Sequence, residues 1–146
     1  MAAPTHNTIE LEGRGPRSEL VANAAITPGQ LCEVMSTGKV RKHATAGGFH
    51  ERLIAQEDSL QGNGITDNYA AAAKVQLVSA EPGQAMYMLL KDGENATTDE
   101  FLESAGDGDL RVYIAGTRVG RAMDAVDLSD SSGADPATRR IRVRIV

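Results

Sequence analysis

The chain has no tryptophan, only two phenylalanines, three tyrosines and three histidines, and a single cysteine in 146 residues. A lone Cys32 excludes an intrachain disulfide and fits a reducing compartment. No apolar run approaches the ~18 residues of a membrane-spanning helix. The leading MAAPTHNT lacks the basic and apolar regions of a secretory signal, so no membrane partner is expected. Few aromatics and a formal charge of −5 argue against a nucleic-acid partner, which calls for basic surface and stacking rings. Bulky core formers are scarce too. Of the 60 hydrophobic residues 21 are alanine, and Val, Ile, Leu and Phe make up about a fifth of the chain, near the composition at which charged chains stop folding. The net charge is too small for disorder. The expectation is one small domain with a thin core completed by partner subunits.

Charge is segregated. Residues 1–42 carry five basic and four acidic side chains, residues 43–110 three and twelve, and residues 111–146 seven and four. Arginine outnumbers lysine eleven to four. Its planar, weakly hydrated guanidinium suits protein interfaces, where lysine is depleted. An acidic middle with Arg-rich ends fits docking between copies or onto a larger protein surface.

Residues 1–18 are broken by Gly13, Gly15 and Pro16 and read as an extended arm, with residues 19–146 a single β-rich domain. Two segments, Thr27-Pro28-Gly29-Gln30 and Glu81-Pro82-Gly83-Gln84, have the chemistry of type II turns. Each is followed by an apolar strand, 31–35 and 85–90, and a further turn, which hints at two similar hairpins. Further strands are expected at 40–43, 49–55, 75–78, 110–114 and 119–126, with helical turns at Ala70–Ala73 and after the Thr97/Glu100 capping pair. The chain ends in the cleanest period-2 pattern present. It places Ile141, Val143 and Ile145 on one face and Arg140, Arg142 and Arg144 on the other. Such an arginine row becomes favourable opposite carboxylates of the same or a neighbouring subunit, which residues 43–110 could supply; the alternative is an edge strand protected against aggregation by its charge. The expected fold is mainly β, a small barrel or sandwich with one or two short helices.

Chemistry-bearing patterns are weak. Cys32, with His43 or His50 as base, is the nearest approach to a nucleophilic site, yet it sits in an apolar strand as a small hydrophobe would. No His/Cys spacing fits a metal, Asp107 and Asp109 lack the other ligands of a calcium loop, and Gly13-Arg14-Gly15-Pro16 lacks phosphate-loop context. No cofactor and no catalytic role are expected. A trimeric dUTP-hydrolysing β-barrel shares the length, but only an isolated Ser-Thr-Gly at 36–38 matches its motifs.

Five segments, LEGRGPRSELVANAAITPGQLCEV (11–34), GKVRKHATAGG (38–48), LQGNGITDNYAAAAKVQLV (60–78), LKDGENATTDEFLESAGDGDLR (90–111) and VGRAMDAVDLSDSSG (119–133), carry a likeness of pattern. Through them the chain resembles the decoration, or cement, proteins of tailed-bacteriophage heads. The resemblance implies a homotrimer made in the host cytoplasm. It would bind the major capsid protein on the outer surface of the mature virion at local three-fold positions. N-terminal segments would reach across coat subunits, with Ile9 and Leu11 as anchors and Glu10, Glu12, Arg14 and Arg17 tuning register. Arg140, Arg142 and Arg144 would lie at the subunit interface. The alternatives are a tail or head–tail connector β-domain, or a small trimeric β-barrel hydrolase.

Overall fold

Short apolar stretches cut by glycine and proline favour many short strands over a few long elements. The computed structural model describes residues 5–131 and 136–146. Its strands are β1 (Glu10–Glu12), β2 (Arg17–Val21), β3 (Leu31–Val34), β4 (Val40–Lys42), β5 (Leu53–Ala55), β6 (Lys74–Ser79), β7 (Ala85–Leu89), β8 (Asn95–Ala96), β9 (Phe101–Ser104), β10 (Leu110–Val112), β11 (Arg118–Ala122), β12 (Val126–Asp127) and β13 (Arg140–Ile145). They form a six-stranded sheet ordered β1-β7-β13-β11-β9-β10, a five-stranded sheet ordered β2-β6-β5-β3-β4, and a β12-β8 ribbon. Neighbours within each sheet run antiparallel. One parallel bridge curls each sheet back toward itself: Leu90 to Leu110 in the larger, Ala22 to Val40 in the smaller.

Period-2 alternation lets the central strands of the smaller sheet serve two cores at once. Leu31, Ile54 and Val78 face the larger core with Met86, Met88, Leu102, Ile141 and Val143. Their neighbours Cys32, Leu53, Ala55 and Leu77 face a second core around Ile26, Tyr69 and Val75. Both cores are built from residues of this one chain. The accessible surface is 7149 Å², and a compact monomer of 15.4 kDa is expected to expose about 7,200 Å². Ala22, Ala55, Ala85 and Ala122 are all buried, so alanine contributes to the interior beside the few large hydrophobics.

Both proline–glycine turns form. Gly29 and Gly83 take φ of +96° and +95°, and Gln30 N and Gln84 N donate to Thr27 O and Glu81 O at 3.1 Å. Each glutamine side chain then repeats one device. Its Oε1 accepts from the turn's first backbone N–H, 2.9 Å from Thr27 N and 2.7 Å from Glu81 N. Its Nε2 donates to a carboxylate, Asp109 at 3.2 Å and Glu10 at 2.9 Å. The two hairpins are thus alike beyond their sequence.

Three sequence expectations need correction. Ala70–Ala73 is not helical: Ala72 has φ of +70°, and this stretch bonds instead to Ala22 (Ala22 N to Ala73 O 2.8 Å, Ala72 N to Ala22 O 2.9 Å). The Thr97/Glu100 pair makes its capping bond, Thr97 N to Glu100 Oε1 at 2.9 Å, but closes a turn into β9. Among the described residues the small helical content is two 3-10 turns, Ser59–Gln61 and Pro136–Thr138.

The third correction concerns the arm. Residues 9–21 are a strap between the sheets: β1 pairs with β7 of the larger and β2 with β6 of the smaller. Its glycines are what the crossing demands. Gly13 adopts φ of +77°, and a Cβ on Gly15 would stand 2.2 Å from Ser79 O.

Candidate docking surfaces and the residues marked by sequence

The six residues assigned to capsid contact are largely used inside the chain. Ile9 is fully buried in the larger core and Leu11 packs against it. The Glu10 carboxylate pairs with Arg17 and accepts from Gly15 N at 3.0 Å and Gln84 Nε2 at 2.9 Å. Arg17 also donates to Gln56 Oε1 at 2.8 Å, and Glu12 pairs with Arg144 at 3.1 Å. Ile9 is therefore not a free anchor, because it is buried in the core shared by the two sheets, and half-buried Leu11 packs against that core. Arg14 is exposed. It lines, with Glu10, Arg17 and Glu57, a polar cleft of about 520 Å³.

The terminal strand keeps its apolar face, with Ile141, Val143 and Ile145 at most 1% exposed. Its arginines divide. Arg142 grips Asp124 through Nε at 3.0 Å to both carboxylate oxygens and Nη2 at 2.6 Å to Oδ1. Arg144 reaches Glu12. Both pairs lie within one chain, and neither carboxylate comes from residues 43–110. Arg140 departs from the outward row. It is 5% exposed and donates to two loop carbonyls, Pro28 O at 2.7 Å and Ile65 O at 2.8 Å.

The nucleophile candidates are held in unreactive settings. Cys32 is buried, its Sγ lies 3.5 Å from Gln30 O, and burial pushes its thiol up to about 12. No imidazole touches it. His43 Nδ1 lies 2.7 Å from Ser104 Oγ and Nε2 2.7 Å from Phe49 O. With Nε2 protonated, the ring accepts from the serine and donates to the carbonyl. Ser104 and His43 are 0% and 1% exposed, so the pair fastens β9 to the loop after β4 with no access for substrate. His50 Nε2 donates to Arg118 O at 3.0 Å, and Nδ1 accepts from Arg52 N at 3.1 Å. Burial foremost lowers its pKa, and this bond pattern needs the neutral ring. Among the described residues no group of three His, Cys, Asp or Glu could hold a metal, and no helix is long and apolar enough to cross a membrane.

A surface that sequence reading missed lies on the larger sheet. Phe101 and Tyr113, two of the five aromatics, meet edge-on with centroids 6.4 Å apart. The Arg118 guanidinium stands 4.2 Å from the Phe101 centroid and 4.8 Å from that of Tyr113, and Arg121 stands 4.6 Å from Phe101. Residues three apart on a regular strand point to opposite faces. A register shift between Arg118 and Gly120 brings both arginines to one side. Arg121 also pairs with exposed Asp99 at 3.1 Å, and it lies opposite Arg144 across the β11–β13 pair. Phe49, Leu60 and Ile114 are exposed at 77%, 79% and 69%. The sequence signal for the arginine–ring cluster was only that arginine is abundant and aromatics rare, because the bulge that assembles it has no local signature. No protein-family model matches this chain, and a search of curated proteins finds none similar to it.

Proposed function

We propose that this chain is a structural decoration protein, binding as a homotrimer to the outer surface of a mature bacteriophage head and stabilising it. The observation that carries the reading is the cluster of exposed Arg118 and Arg121 over half-buried Phe101 and Tyr113 on the larger sheet. Arginine and aromatic side chains dominate the energetic centres of protein interfaces. The resemblance of the five segments to head decoration proteins supplies the partner, the major capsid protein. The contact surface moves from the N-terminal strap, whose Ile9 is buried and whose Leu11 is half-buried against the core, to this arginine–ring face.

Such a protein acts by linkage: binding the assembled shell and not its free subunits shifts equilibrium toward the shell. A trimer adds avidity, because the second and third contacts become intramolecular once the first has formed. The test is co-sedimentation of the purified protein with phage heads before and after expansion, with sedimentation equilibrium for the trimer. Binding to expanded heads is expected, falling with salt and lost in the Arg118→Ala/Arg121→Ala double variant while the circular dichroism spectrum is unchanged. Failure to bind either form of head overturns the reading. Immuno-electron microscopy that places the protein on tails or connectors replaces it with the tail or connector alternative.

A further inference from the structure

The loop of residues 113–117, between β10 and β11, is pinned by a buried carboxylate. Glu103 on β9 is 0% exposed. Its Oε1 accepts from Ile114 N and, at 3.3 Å, from Ala115 N. Its Oε2 lies 3.7 Å from Arg111 Nη2, and a Cβ on Gly47 or Gly116 would collide with that oxygen. The end of the loop is tied as well: Thr117 N donates to Gly47 O at 2.8 Å, and Gly47 N to Ser104 O at 2.8 Å. A buried carboxylate is costly unless hydrogen bonds and a counter-charge compensate it. Here the hydrogen bonds come from a loop whose own apolar side chain, Ile114, stays exposed.

This loop joins two members of the arginine–ring cluster, since it runs from Tyr113 to Arg118. Fixing its path therefore fixes Ile114 in continuity with that face. Exposed Phe49 is tethered to the same strand, because its neighbour His50 donates through Nε2 to Arg118 O at 3.0 Å. A loose loop would have to be ordered on docking, whereas a pinned one presents its apolar side chain already in place. Among the described residues the Arg118 guanidinium lies over two rings and is paired with no carboxylate. The partner surface that complements this face carries an acidic side chain next to an apolar hollow.

We infer that Glu103 is a positioning residue, which holds the 113–117 loop in a preformed shape so that Ile114 extends the arginine–ring face toward an acidic and apolar patch of the partner. The inference rests on the capsid reading for the identity of that partner, the major capsid protein.

The experiment combines amide hydrogen exchange of the full chain with co-sedimentation on expanded phage heads over a dilution series. It compares the parent with Glu103→Gln, Glu103→Ala and Ile114→Ser. In the parent, the Ile114 and Ala115 amides are expected to be protected although their loop is exposed. Glu103→Gln keeps an acceptor for both N–H groups and should bind heads within about threefold of the parent. Glu103→Ala loses the acceptor and Ile114→Ser the apolar contact, and each should weaken binding about tenfold. Rescue by glutamine separates positioning of the loop from charge pairing with Arg111, which glutamine abolishes. If Glu103→Ala does not fold, exposed Ile114→Ser carries the binding comparison and the parent's exchange carries the positioning. Unprotected amides, parent-like binding by Ile114→Ser, or a tenfold loss in Glu103→Gln overturns the inference and leaves the capsid reading standing. A parent chain that binds no heads overturns the capsid reading and the docking role with it.

Discussion

Replacing Gly15 by alanine separates a strap from an arm. The added methyl would lie 2.2 Å from Ser79 O and 3.0 Å from Ser79 C, both backbone atoms of β6 that cannot swing aside. Relief requires moving β2 off β6, where Ser79 N donates to Pro16 O at 2.8 Å and Arg17 pairs with Val78. Overpacking of this kind costs about 1–3 kcal/mol, and each ladder bond lost adds about 1 kcal/mol. A total near 3 kcal/mol corresponds to a melting temperature lowered by roughly 6–12 °C in a chain of this size. The control is Gly38→Ala, at a φ of +84° with nothing within 4 Å of the new Cβ, where the left-handed backbone alone costs about 1–2 kcal/mol. Thermal and urea unfolding followed by circular dichroism reads both. If Gly15→Ala melts with or above the control, the strap is not part of the folded core and the original arm returns. By the same reasoning, deleting residues 1–17 removes buried Ile9 and strand β1. Unfolding of the isolated protein is expected, so that deletion cannot report on shell binding alone.

Three other outcomes follow from individual sites. Arg142→Glu breaks a bidentate pair with an Asp124 carboxylate that is 6% exposed and should cost about 2–3 kcal/mol in urea unfolding; unchanged stability with weakened self-association would move the pair's role to the interface. His50 has a folded-state pKa below 6.5, so the unfolded chain binds its proton more readily. Stability should be fully present above pH 6.5 and decline as pH falls through the folded value. His50→Gln should flatten that part of a melting-temperature profile, and an unaltered slope refutes the assignment. Cys32, with its thiol raised to about 12, should react with a disulfide reagent at mildly alkaline pH only as fast as the protein opens. Rapid labelling of the native state contradicts the burial.

The amino-acid order by itself determined what depends on neighbours in the chain. Proline followed by glycine set both type II turns, and alternation at 141–145 set the buried face of β13. The punctuated apolar runs set a mainly β fold. What it could not determine was where distant segments meet. Alanine's helix propensity at 70–73 yielded to backbone bonds from residue 22. Gly13, Gly15 and Pro16 read equally well as a loose arm and as a tight crossing, and only β6 and β7 decide between them. Arg140 has the periodicity of a surface residue but turns inward because carbonyls 112 and 75 positions away converge on it. Arg118 and Arg121 share a face only through a bulge in their pairing with β9. Local torsional preference is written residue by residue. Burial, pairing and charge compensation are properties of the surroundings, and those exist only once the two sheets have closed on each other.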